Sequence, residues 1–101
     1  MVCKITWSPR ALEDLRDAVR YIRRDDPEAA RRFGLKLIEK AETLATFPER
    51  GRMIRKFHDP TIREVFLGPY RIAYRIRRDS ASVEIVRLWH GARCEEEFDL
   101  S

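Results

Sequence analysis

The sequence predicts an α+β domain: an N-terminal strand, then an antiparallel αα-hairpin packed on one face of a small antiparallel sheet, in the order β-α-α-β-β-β. Two observations carry the prediction. Start signals at Ser8-Pro9 and Asp26-Pro27 each open a stretch with apolar residues every three or four positions. After Pro60 the apolar period changes to two.

The elements can be taken in chain order. Val2 to Trp7 reads as a short strand, with Val2, Ile5 and Trp7 as β-prone side chains. Ser8 is a good N-cap, and Pro9 fits the first helical position because its missing N–H is not needed there. Trp7 and Leu12 fall at the two positions of a hydrophobic staple. Ala11, Leu12, Leu15, Ala18, Val19 and Ile22 then make one helical stripe. Asp26-Pro27 repeats the signal, and Ala30, Phe33, Leu37, Ala41 and Leu44 mark a second stripe that stops at Phe47-Pro48. So short a connection between helices makes them antiparallel. Gly34 is expected to let them approach closely. Glu49 to Pro60 is rich in turn residues and reads as a loop. Thr61–Leu67, Tyr70–Arg77 and Ser82–Trp89 read as strands joined by short turns, an antiparallel meander. The hairpin covers one face. The other is expected to present Arg71 and Arg75, with Arg63 beside them.

Size and charge bound the function. The 101 residues suffice for one domain, and 44% hydrophobic residues suffice for one core. The net charge is +4, and only Lys4, Lys36, Lys40 and Lys56 are lysines, so the positive charge is almost all arginine. Arginine's planar fork suits carboxylate and phosphate, which points to an acidic protein segment or a nucleic-acid backbone as partner. Cys3 and Cys94 stand apart without metal-type spacing and are expected to remain thiols. No apolar run is long enough to span a membrane, no secretory leader is evident, and the expected compartment is the cytoplasm. No glycine-rich phosphate loop, metal cluster or Ser-His-Asp pattern stands out, so no cofactor is expected.

Arginine at alternate strand positions is the strongest functional signal. The bland alternative is a solvated outer face whose arginines pair with Glu64 or Glu84. Arg63, Arg71, Arg75, Arg87 and Arg93 together favour a partner- or nucleic-acid-binding surface. His90 lies where the last strand finishes, and a histidine beside arginines can serve general acid–base chemistry. The alternative there is a histidine that only caps the strand.

The ordered set Trp7-Ser8-Pro9, Asp14-Leu15, Tyr21-Ile22, Ala29-Ala30, Phe33, Phe47-Pro48, Gly51-Arg52, Ile62-Arg63-Glu64, Gly68-Pro69-Tyr70-Arg71-Ile72 and His90-Gly91-Ala92-Arg93 resembles the RelE/ParE toxin superfamily of bacterial type II toxin–antitoxin pairs. The likeness covers nearly the whole chain, so residues 1–101 are read as one toxin domain. It implies a toxin neutralised by a cognate antitoxin whose acidic C-terminal segment wraps it, the pair acting on operator DNA through the antitoxin. ParE-like members inhibit DNA gyrase. RelE-like members cleave messenger RNA on the ribosome, and for that activity Arg71, His90 and Arg93 are the catalytic candidates here, with Glu64 as a further acid–base residue. A third reading is a non-toxic antitoxin-binding module. The chain has no lysine after Lys56 and no tyrosine after Tyr74. The long helical hairpin and the Phe47-Pro48 to Gly51-Arg52 loop look more like ParE, so the gyrase-directed branch is favoured.

Overall fold

The computed structural model describes residues 3–91, so Val2, Arg93, Cys94 and the rest of the tail lie outside the described residues. The elements are β1 (Lys4–Trp7), α1 (Pro9–Asp25), α2 (Pro27–Thr46), β2 (Arg52–Met53), β3 (Ile62–Leu67), β4 (Tyr70–Arg77) and β5 (Ser82–His90). Both start signals work as the sequence implies. Ser8 Oγ accepts from the Ala11 N–H at 3.0 Å, and Asp26 Oδ1 accepts from the Ala29 N–H at 3.1 Å. Gly34 does not hold the helices together: a Cβ built there meets nothing within 4 Å.

The sheet has five strands in the order β1-β5-β4-β3-β2. The meander β3-β4-β5 is antiparallel as expected, and β1 joins it parallel to β5, which makes the sheet mixed. The reason is topological. After β1 the chain crosses through the helical hairpin before returning to the sheet, and such crossovers deliver parallel strands. The short β2, inside the segment read as a loop, closes the other edge against Glu64 and Arg63.

The helices bury Leu37 and Leu44 against Val65, Ile72, Tyr74, Ile76, Val83, Ile85 and Leu88. Each fully buried leucine contributes roughly 1.5–3 kcal/mol. The opposite face is not bare. Ile54 and Phe57, in the segment after β2, roof a second apolar cluster with Ile62, Ala73, Val86 and Trp89.

β1 stops opposite Ile85, yet β5 continues to His90. Side chains of α1 take over the exposed edge. Ser8 Oγ donates to the Val86 carbonyl at 3.1 Å, and Asp14 Oδ2 accepts from the Leu88 N–H at 3.0 Å. Asp14 also holds Arg87 Nε at 2.8 Å. On the far side, the buried Tyr74 hydroxyl donates to the Pro48 carbonyl at 2.7 Å and accepts from the Gly51 N–H at 2.9 Å. A side chain at Gly51 would sit 2.5 Å from that hydroxyl, so the loop is buckled to the sheet where only glycine fits.

Candidate partner-binding surface

Strand register decides which arginines share a face. Leu67 pairs with Tyr70 across the turn, so Phe66 faces Arg71, Glu64 faces Ala73 and Ile62 faces Arg75. Cross-strand partners lie on one face. Arg71, Arg75 and Arg77 of β4 therefore share the open face with Glu64 and Phe66 of β3. Arg63 pairs with Tyr74 and lies on the helix side, contrary to the expectation that it stands beside Arg71. Its guanidinium donates to the Pro60 and Gly51 carbonyls, each at 2.9 Å, and so fastens the loop.

Arg87 is likewise not part of an open surface. A bulge between Ala73 and Tyr74 on the β4–β5 ladder sets it opposite Ala73, on the same face as Arg71, but the side chain is buried beside Trp89 and Asp14. Arg93 lies outside the described residues. His90 pairs with Tyr70 and stacks edge-on against it with centroids 5.1 Å apart, on the face opposite to Arg71. Arg71 and His90 are thus on opposite sides of one sheet.

The open face has its own centre at Glu64, the acid that the solvated-face alternative pairs with arginine, joined by Arg52, which sequence reasoning did not place there. Glu64 is only 4% exposed, with Arg71 Nε 2.8 Å from one carboxylate oxygen and Arg52 Nε 3.2 Å from the other. Both guanidiniums also lie over the half-exposed Phe66 ring, Arg52 at 5.1 Å and Arg71 at 5.9 Å from its centroid. Two cations share one carboxylate, so the cluster keeps a net positive charge. Arg75 stands on the same face. Arg77 pairs with Glu84 at 2.8 Å, and that hydrogen bond holds its guanidinium above its ordinary range. The arginine alternation of β4 was legible. The contribution of Arg52, from a strand of two residues, had no periodic signal to reveal it.

Chemically such a surface is suited to holding an anionic group. Both Glu64 oxygens face guanidiniums, so the carboxylate serves to position arginines. Among the described residues no group of His, Cys, Asp and Glu is arranged to hold a metal ion. No described helix is long and apolar enough to cross a membrane.

The family described as the ParE toxin of the type II toxin–antitoxin system, parDE, matches residues 5–94. The chain belongs to the ParE toxin family. It is thereby a toxin of a type II toxin–antitoxin system. Relatives of this ParE-family toxin include the toxin RelE2 of Caulobacter vibrioides, 40% identical over 93 residues and covering 91% of this chain and 99% of the relative. The putative toxin Y4kP of Sinorhizobium fredii is 39% identical over 89 residues, 86% of each chain. In fold, the chain is similar to a chromosomal ParDE system from P. aeruginosa, with a TM-score of 0.71, 18% identity and coverage of 88% of this chain and 96% of the other. It is also similar to the toxin–antitoxin complex RelBE2 from Mycobacterium tuberculosis, with a TM-score of 0.65, 23% identity and coverage of 89% and 99%.

Proposed function

We propose that this ParE-family toxin inhibits DNA gyrase by binding it through the open sheet face around Arg52, Arg71 and Arg75, with no bond-breaking chemistry of its own. One observation carries the reading: Arg71 and His90 lie on opposite faces of the sheet, and Glu64, the other acid–base candidate, has both carboxylate oxygens engaged by Arg71 and Arg52. A ribonuclease centre requires its phosphate-holding cation and its acid–base group within reach of one scissile phosphate. Arg71 instead stands against Glu64 and Phe66, an arrangement suited to gripping a protein or anionic surface. The cognate antitoxin neutralises the toxin, and operator DNA is contacted through the antitoxin.

The test is a supercoiling assay with purified gyrase and toxin, run beside a toe-printing assay on translating ribosomes. Inhibited supercoiling with intact message is expected, and Arg71→Ala should weaken inhibition. Codon-specific cuts that disappear in His90→Ala, with gyrase unaffected, would establish the ribosome-dependent endonuclease in its place. Harmless expression without antitoxin, with both assays blank, would leave the antitoxin-binding module.

A further inference from the structure

One stripe of α2 is left uncovered by the rest of the described chain. Leu35 and Ile38 are 51% and 55% exposed, although the other leucines of the helix, Leu37 and Leu44, are buried. With Arg31 and Glu42 they recur at spacings of four, three and four, which places all four on one side of the helix. Gly34 borders that stripe. Glycine in mid-helix costs propensity, yet no packing among the described residues needs it, since a Cβ there meets nothing within 4 Å. The stripe is thus an exposed aliphatic pair with room beside it for another backbone to come close.

The charges around the pair run from basic to acidic. Arg31 and Arg32 precede it, and Glu39 and Glu42 follow it. Arg31 reaches Glu28 at 3.4 Å, with both side chains well exposed. Arg32, Glu39 and Glu42 make no ion pair among the described residues. Such a stripe is complementary to its own reverse. Set a second α2 antiparallel to the first, about a two-fold axis between Lys36 and Leu37. Leu35 then stands opposite the second copy's Ile38, and Arg31 opposite its Glu42. Arg32 and the second copy's Glu39, on the same flank, fall within about 3 Å of each other along the axis at about 1.5 Å per residue. A parallel pair would set arginine against arginine and glutamate against glutamate.

We propose that the toxin self-associates through this stripe, with α2 antiparallel to the α2 of a second copy, Leu35 and Ile38 at the centre and Arg31–Glu42 pairs at both ends. A two-fold contact must be self-complementary, and the order of charges along α2 meets that condition in one orientation only. Two exposed aliphatic side chains per copy fall well short of the roughly 1,200–2,000 Å² that a stable interface buries. The dimer is therefore weak, with a Kd on the order of 10–100 µM. The helices cover the face of the sheet opposite to Arg71 and Arg75. Both arginine clusters stay open in the dimer, which presents two binding faces to whatever target the toxin takes. The inference is independent of that target.

The experiment is sedimentation of the full-length chain from about 1 to about 500 µM, a range that brackets the expected Kd. The mass should rise from the 12.0 kDa of the monomer towards twice that value. Leu35→Ala/Ile38→Ala should abolish the rise. Arg31→Glu and Glu42→Arg should each weaken association by about 5- to 10-fold, since each places like charges opposite one another at both ends. The double exchange Arg31→Glu/Glu42→Arg should restore it. All four residues are exposed, and melting curves at the lowest concentration check that each variant is folded. A chain that stays monomeric throughout overturns the proposal. So does association that survives Leu35→Ala/Ile38→Ala, which would put the contact on another surface. A double exchange that fails to restore association overturns the antiparallel arrangement.

Discussion

Replacing Tyr74 by phenylalanine removes one oxygen and leaves the ring in place, so no cavity complicates the reading. That oxygen has two partners, the Pro48 carbonyl and the buried Gly51 N–H. Gly51 cannot move towards another acceptor easily, because the space beside it is filled by Tyr74 itself and the Glu64 carbonyl. An orphaned buried N–H costs about 1–3 kcal/mol, and loss of the bond to the more accessible Pro48 adds about 1 kcal/mol. Tyr74→Phe should therefore cost about 2–4 kcal/mol, a fall in Tm on the order of 10–20 °C for a domain of this size. Thermal and urea unfolding followed by circular dichroism measure it. The substitution should also change the alkaline limb. Burial pushes the Tyr74 hydroxyl above its ordinary value of 10.0, against the weaker lowering by the Gly51 hydrogen bond. The folded state therefore holds the proton longer than the unfolded chain, and stability present below pH 10 declines above it. Tyr70, raised by burial as well, keeps part of that decline in the variant. A loss below about 0.5 kcal/mol at neutral pH would refute the buckle as a structural element.

The same geometry gives three further expected outcomes. Gly34→Ala should stabilise the protein by about 0.5–1 kcal/mol, since the added methyl meets nothing within 4 Å and the helix gains propensity; a lowered Tm counts against it. Asp14→Ala should cost about 3–5 kcal/mol in urea unfolding by stranding the buried Arg87 guanidinium and the Leu88 N–H, with Asp14→Asn milder. Hydrogen bonds from the Thr61 hydroxyl and N–H hold Asp59 below its ordinary 3.8. Its contribution is present above that pH and lost as pH falls through the lowered value, so Thr61→Val should flatten this part of the acid-unfolding curve.

Much of the fold was written in local chemistry. Ser8-Pro9 and Asp26-Pro27 set both helix starts through side-chain caps that form as their residue types require. Face assignments were legible only in part. The Leu67–Tyr70 pairing across a two-residue turn fixes Phe66 opposite Arg71, so counting back places Arg63 on the helix side. That signal lay in the turn length and was missed. The bulge beside Tyr74 was not legible, because no glycine or proline marks it. Without it Arg87 would fall opposite Ile72 and Leu88 would leave the core. The pairing of Arg52 with Glu64 depends on where a loop returns to the sheet, which alternation along a strand does not encode.

The edge seal made by α1 has a consequence for synthesis. β1 has its strand partner only in Ser82–Ile85, and Ser8 and Asp14 bond Val86, Arg87 and Leu88, more than 70 residues later in the chain. A nascent polypeptide that has not yet emitted β5 can lay its helices on β3 and β4 but lacks the strand that β1, Ser8 and Asp14 bond to. Emergence of β5 supplies all of those partners together, so the β1 edge closes as one cooperative step.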